Sequence, residues 1–219
     1  MKRFRCMVVD WNYVYALCKQ VANKIMESGY DPDLIVALAR GGWFAGRVLC
    51  DLLGVKDLVS LKVEHWGITA TPDGEARIRF PLNLSLEGRK VLVVDDITDT
   101  GKSLKVATSH LRKLNPKELR TATLQCIRGS EFRPDYFAEE IDWVWVVYPW
   151  NFYEDMRNLI PPLFDQKDVL DVNEIRELLL ANHEIELDLP TIIDVLKHME
   201  QFGLVTKVEK GWKIVRRST

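Results

Sequence analysis

Val91-Leu92-Val93-Val94-Asp95-Asp96-Ile97-Thr98-Asp99-Thr100-Gly101-Lys102-Ser103-Leu104 is the stretch on which the reading of this chain turns. Four consecutive aliphatic residues predict a strand buried on both faces, as in parallel sheets. Two carboxylates end that strand, and a short polar loop with one glycine and several hydroxyls opens a helix over 104–114. Such a loop offers backbone N–H groups and a helix N-terminus to a phosphate. Carboxylates just ahead of it suit ribose hydroxyls or a Mg²⁺. Asp99 or Thr100 would also serve as a simple helix cap. Burying two strand-end carboxylates without a ligand is costly, however, and favours a binding loop. Gly101-Lys102-Ser103 shares part of a nucleotide P-loop, but that motif needs a glycine five residues before the Gly-Lys pair, where Asp96 stands.

Upstream, apolar residues at helical spacing (Val14, Leu17, Cys18, Val21, Ile25, Met26) predict a helix over 11–29. Leu34 to Leu38 reads as a buried strand, broken by Ala39-Arg40-Gly41-Gly42 and followed by a helix over 43–53 that stops at Gly54. Val59 to Val63 is a further strand. Residues 64–80, with Gly67, Pro72 and Gly74, read as a long loop or loose hairpin, the usual place for a lid. Downstream, strands are predicted over 121–127 and 143–148. Strand–helix alternation with apolar central strands predicts an α/β domain with a parallel sheet, whose ligands bind at the carboxyl ends of the strands.

The composition shifts at Pro161-Pro162, which divides the chain into a larger α/β domain over 1–160 and a small, mostly helical C-terminal domain over 161–219. That domain has helices over 173–181 and 190–202 and a hairpin over 205–215, and is read as winged-helix-like.

The 219 residues are 47% hydrophobic and 28% charged, with net charge −2. This supplies a core, excludes disorder as the main state, and argues against a strongly basic nucleic-acid binder. No apolar run reaches the roughly 20 residues of a membrane helix. The basic start, Met1 to Cys6, is followed by no apolar signal core, so a cytoplasmic, soluble protein is expected. Cys6, Cys18, Cys50 and Cys126 are too scattered for a zinc site or a disulfide framework, and His65, His110, His183 and His198 form no catalytic pattern.

The 91–104 stretch resembles the PRPP-binding motif of type I phosphoribosyltransferases: an apolar run, two acids, a short spacer, then Asp-Thr-Gly and a hydroxyl residue. The resemblance covers roughly residues 10–155 and implies a central parallel sheet flanked by helices, with a hood. It implies that Asp95 and Asp96 hold the ribose hydroxyls, with a Mg²⁺ cofactor at these same residues. By it, Asp99, Thr100, Gly101, Lys102 and Ser103 cradle the 5-phosphate, and Asp99 is the proton-transfer group beside N7 of the base. Val36-Ala37-Leu38-Ala39-Arg40-Gly41-Gly42-Trp43, with Arg40 placed 55 residues before Asp95, resembles the family's pyrophosphate loop. There Ala39, Arg40 and Gly41 contact PRPP, and Arg40 stabilises the leaving group.

Phe132-Arg133-Pro134-Asp135-Tyr136, with Trp143-Val144-Trp145-Val146-Val147-Tyr148-Pro149-Trp150, resembles the hood of the 6-oxopurine branch. By that likeness Trp145 stacks on the purine and the Val146 backbone reads its edge, while Trp143 and Trp150 are assigned to core packing. This chain departs from the branch in two places. The lysine that donates to O6 is replaced: its place falls on Ile127, next to Arg128, or alternatively on Arg133. Asn151 stands where an acid follows Pro-Trp, with Glu154 and Asp155 close by. A site without a fixed donor no longer selects an oxo group.

The expected function is therefore purine salvage, converting adenine and PRPP to AMP and pyrophosphate. The fold-level likeness is to crenarchaeal-type adenine phosphoribosyltransferases, and the alternative substrates are hypoxanthine, guanine and xanthine. A homodimer is the family-level expectation. A PRPP-sensing regulator is the rival class. Against it, residues 162–219 carry eight Lys and Arg against eleven Asp and Glu, a poor balance for binding nucleic acid.

Overall fold

A computed structural model describes residues 3–65 and 76–215. In chain order the elements are β1 (Cys6–Val8), α1 (Trp11–Glu27), β2 (Leu34–Ala39), α2 (Gly42–Leu53), β3 (Asp57–His65), β4 (Ala76–Phe80), β5 (Lys90–Thr98), α3 (Lys102–Arg112) and β6 (Glu118–Ile127). They continue with β7 (Tyr136–Ile141), β8 (Trp145–Val147), α4 (Phe152–Leu159), a 3₁₀ turn at Pro161–Asp165, β9 (Val169–Leu170), α5 (Val172–His183), α6 (Leu189–Gln201), β10 (Val205–Val208) and β11 (Gly211–Ile214). Among the described residues no helix is long and apolar enough to cross a membrane.

The chain forms two compact units, Trp11–Trp143 and the described residues of Met1–Asp10 with Val144–Thr219. The expected boundary at 160 therefore falls inside the second unit, which also takes in the first strand of the chain. Short-range periodicity does not report such a pairing of distant segments.

The larger unit is built on a six-stranded sheet in the order β4-β3-β2-β5-β6-β7. Five of the strands are parallel, and β4 runs antiparallel to β3. This is the α/β architecture that the strand–helix alternation predicts. Leu34, Ile35, Val36, Ala37 and Val91 to Val94 are fully buried, which explains their unbroken apolar runs. Leu34, Val36, Leu38, Val91 and Val93 pack with Leu104, Ala107 and Leu111 of α3. The opposite face, with Ile35 and Ala37, meets α2 at Gly46.

Within residues 64–80, expected to be loop, Glu64 and His65 extend β3 and Ala76–Phe80 form β4. The hairpin is cross-linked by a forked ion pair from Arg79 to Glu64, at 2.9 and 3.0 Å. The rest of the expected lid, 66–75, lies outside the described residues. β7 is an edge strand with a mixed polar pattern, Tyr-Phe-Ala-Glu-Glu-Ile, and for that reason shows no continuous apolar run.

In the smaller unit β1 pairs in parallel with β8, so the strand expected over 143–148 shortens to three residues. The expected hairpin forms as β10 and β11, and β9 joins it in the order β10-β11-β9. α5 begins in a capping box between Asp171 and Glu174, and α6 is capped by Asp188 accepting from the Thr191 N–H. Ile175, Leu179, Ile192, Leu196, Met199 and Trp212 belong to its own apolar core.

The start of α2 lies directly against the end of β5. A Cβ on Gly42 would stand 2.4 Å from the Val94 carbonyl oxygen and 3.0 Å from Asp95 Cα, both backbone atoms that cannot turn aside. Gly42→Ala is therefore expected to destabilise the protein by about 1–3 kcal/mol, the usual range for overpacking. Gly54→Ala, at a helix end with nothing within 4 Å, carries only the cost of a left-handed residue. Paired thermal melts check this: the Gly42 variant should melt at the lower temperature.

Candidate active site

β2 and β5 are neighbours, and the sheet grows outward from them in opposite directions, through β3 on one side and β6 on the other. Such a switch point leaves a crevice at the carboxyl ends of the strands. α2 follows β2 and α3 follows β5, so two helix N-termini open beside each other at this edge. Both begin at glycine: Gly41 is the cap residue of α2 and Gly101 that of α3. A glycine cap leaves no side chain to satisfy the first-turn N–H groups, and such ends favour anions.

The Ala39–Arg40 peptide bond is cis. Ala39 is half-buried at the end of β2, Arg40 is exposed, and Gly41 and Gly42 carry the chain across the end of β5. A Cβ on Gly41 would come within 2.0 Å of Asp96 Oδ2. The structure thus brings Ala39, Arg40 and Gly41 together with Asp95 and Asp96, 55 residues later in the chain.

Asp96 is buried, while Asp95 keeps part of its surface exposed. The Asp96 N–H donates to Asp95 Oδ1 at 3.0 Å, and the Ile97 N–H to Asp96 Oδ1 at 2.9 Å. The Gly42 N–H also donates to the Asp95 carboxylate. Burial first, and then the neighbouring Asp96 carboxylate, hold the Asp95 carboxyl well above the usual carboxylate range. These donated hydrogen bonds offset only part of that cost. Among the described residues no three His, Cys, Asp or Glu side chains gather into a metal site. Two carboxylates at a phosphate-binding edge do fit a Mg²⁺ that takes its other ligands from substrate oxygens and water.

Asp99 is exposed, and Thr100, Lys102 and Ser103 are half-buried, on the loop that turns β5 into α3. Gly101 has φ +80°, a left-handed conformation that suits glycine. A Cβ there would lie 2.3 Å from Phe132 Cβ and 2.9 Å from its backbone nitrogen. Phe132 also packs on the α3 side of the core. The sequence shows Phe132 only as the start of the hood-like segment. Its place over Gly101 comes from the return of β6 to the sheet edge.

Ile127 ends β6 and is buried. The Arg128 guanidinium pairs with Asp142 at 2.9 Å, and its backbone N–H donates to the Ile141 carbonyl. Arg133 pairs with Glu140 and lies over the Phe137 ring. Each arginine at or beside the place of the replaced lysine is thus paired with a carboxylate of the β7 region, exposed to solvent.

In the smaller unit, Trp145 and Val146 lie on β8. The Trp145 N–H donates to the Arg5 carbonyl and the Val9 N–H to the Val147 carbonyl, at 3.0 and 3.1 Å. In a parallel ladder alternate residues face the partner strand, so the Val146 peptide groups face the other edge of β8. The half-buried Trp145 leans on the apolar core of its unit, and its indole N–H donates to Asp155 Oδ1 at 3.1 Å. Asp155 is itself buried, on α4. The sequence shows it only as an acid near Pro149-Trp150. Trp150 stacks on Tyr148 at 4.8 Å, in keeping with packing, but Trp143 is 50% exposed rather than buried in a core.

Comparison with known proteins agrees with this geometry. The phosphoribosyl transferase domain family matches residues 7–155. A hypoxanthine-guanine phosphoribosyltransferase of Aquifex aeolicus is 31% identical over 152 residues, 64% of this chain and 83% of that protein. Xanthine phosphoribosyltransferase 1 of Saccharomyces cerevisiae is 30% identical over 126 residues, 49% of this chain and 60% of the yeast protein's own length. The crystal structure of a purine phosphoribosyltransferase from Pyrococcus horikoshii superposes with TM-score 0.59 at 30% identity, over 66% of this chain and 93% of that one. With the glycine-started α2 set against a carboxylate pair at the switch point of a type I phosphoribosyltransferase sheet, this chain belongs to the phosphoribosyl transferase domain family.

Proposed function

We propose that this protein transfers the 5-phosphoribosyl group of PRPP to a 6-oxopurine base, yielding the nucleoside monophosphate and pyrophosphate. The observation that carries this reading is the meeting of the α2 start with Asp95 and Asp96 beside the α3 start. It sets two anion sites on either side of a pair of hydroxyl acceptors. The bond from C1 of the ribose to pyrophosphate breaks with its electrons on the leaving oxygen, and the sugar becomes oxocarbenium-like. The Gly41 amide, with the Arg40 guanidinium, faces the charge that grows on pyrophosphate, while the Gly42 N–H stays on the Asp95 carboxylate. Asp95 and Asp96 hold the ribose hydroxyls, and Thr100 to Ser103 hold the 5-phosphate. Asp99, on the exposed side of the loop, takes the proton that the base gives up as its ring nitrogen joins C1. A Mg²⁺ held by Asp95 and Asp96 with substrate oxygens would neutralise phosphate charge. On the base side, Trp145 is assigned the ring face and the outward peptide of Val146 the ring edge.

The choice of base departs from the adenine expectation. The relatives in Aquifex and yeast are a hypoxanthine-guanine and a xanthine enzyme, which supports an oxopurine. Adenine keeps one specific observation in its favour, the buried, apolar Ile127 where the branch has a lysine. A homodimer is also proposed: Trp43, Phe44 and Leu58 line an apolar groove of about 440 Å³ on the larger unit, and patches of this kind mark association surfaces.

The rival reading as a regulator draws on the order of β9, α5, α6, β10 and β11, which is that of a winged helix. Its helix–helix turn, however, carries Glu184, Glu186 and Asp188, and Asp194 on α6 accepts from Tyr153. An acidic turn opposes a phosphate backbone. Gel-shift titration of the protein with duplex DNA should show no salt-sensitive complex, and a complex lost on raising salt would favour the regulator.

Pyrophosphate release from PRPP with Mg²⁺ should be detected with hypoxanthine, guanine or xanthine. Release with adenine alone would return the assignment to the adenine enzymes, and silence with all four bases would overturn it. In substrate-free, metal-free protein, Asp95 binds its proton more tightly when folded than when unfolded. Its ionisation therefore lowers stability as pH rises from the usual carboxylate range toward its raised folded value. Asp95→Asn should melt higher than the unaltered protein at neutral pH. The advantage should fade below the usual carboxylate range, and pyrophosphate release should fall.

A further inference from the structure

Phe132 is the residue at the site whose position the reaction as described does not use. It sits in the turn between β6 and β7. Gly129 has φ +85°, the Ser130 N–H donates to the Ile127 carbonyl at 3.1 Å, and Ser130 Oγ donates to the Phe132 carbonyl at 3.1 Å. That turn ends with the Phe132 Cα, Cβ and backbone nitrogen stacked over Gly101, so close that no Cβ fits at 101. The half-buried Phe132 ring packs into the cluster that holds Leu104, Ala107 and Leu111 on the inner face of α3. One residue therefore touches both the cap of α3 and the apolar seat of that helix.

We propose that Phe132 is a positioning residue: it holds the Gly101 end of α3 in the orientation that presents its amides to the 5-phosphate of PRPP. The inference rests on the reading of Asp99 to Ser103 as the phosphate loop. Helix-end amides bind an anion only while they converge on one point. Within the loop Thr100 Oγ1 accepts from the Lys102 N–H at 3.4 Å, and the contact from Phe132 adds a restraint from outside it. The same turn starts at Ile127 and Arg128, on the base side, so Phe132 joins the two halves of the substrate site within the larger unit.

The experiment is calorimetric titration of the whole protein with PRPP in Mg²⁺ buffer, with thermal melts recorded alongside. Phe132→Ala leaves the backbone and Cβ over Gly101 but withdraws the ring that seats this turn against α3, and is expected to weaken PRPP binding by at least about ten-fold, since small displacements of binding groups act strongly. Phe132→Leu, which keeps an apolar side chain in the cluster on the inner face of α3, should recover most of the affinity. Leu111→Ala supplies the comparison: it empties the same core cluster at the far end of α3, so it should lower the melting temperature and leave PRPP affinity within about two-fold. Unchanged affinity in Phe132→Ala, or an equal loss in Leu111→Ala, overturns the positioning role alone. Failure of the unaltered protein to bind PRPP overturns the phosphate-loop reading, and the positioning role with it.

Discussion

The contact between the first residues of α2 and the end of β5 is the constraint on which the substrate site depends. Gly42 lies so close to the backbone of Val94 and Asp95 that no side chain fits there, and a side chain at Gly41 would displace the Asp96 carboxylate. This closeness puts amide donors beside two carboxylates in a poorly solvated place. The Gly42 N–H stabilises the Asp95 anion, but burial and the adjacent Asp96 carboxylate outweigh it. The stability lost there is of the kind that binding sites store.

The site is assembled from loops that share no local sequence. Arg40 to Gly42 leave β2, Asp95 to Ser103 leave β5, and Phe132 returns from β6. Parallel strands impose this arrangement. Each strand ends at the same edge of the sheet, so loops separated by tens of residues become neighbours, and those at the switch point enclose a crevice. Rigid, fully buried strands behind the loops hold the donors in place. Trp145 and Val146 of the smaller unit have a different support. Trp145 is fixed by Asp155 and by the core of the smaller unit, and Val146 is oriented by the pairing of β8 with β1.

Much of the fold was legible because burial leaves strong local marks. The runs 34–38 and 91–94 are apolar without a break because both faces of their strands are covered. The glycines at 41, 42 and 101 mark places where backbone must pass close to backbone. Elements with weaker marks were missed: β1 and β9 are two or three residues long, β7 is a polar-faced edge, and α4 is a short helix after Pro149-Trp150. Trp143 was assigned to packing by its residue type, yet it stands half in solvent. The acid–glycine motif also says little about the base, because base recognition depends on single side chains whose partners are set elsewhere.

The sequence by itself determined the class of the larger unit and the place of its glycine-rich and acidic strand-end segments. Apolar runs, glycines and paired acids are local consequences of burial and of backbone geometry, and they can be read without a partner. Only the tertiary structure decided what each of those groups faces. It placed Gly41 against Asp96 and Phe132 against Gly101, paired Arg128 with Asp142 and Arg133 with Glu140, and joined the first strand of the chain to β8. Contacts between segments tens or hundreds of residues apart are selected by the closure of a whole sheet and core. No window of sequence contains both halves of such a contact.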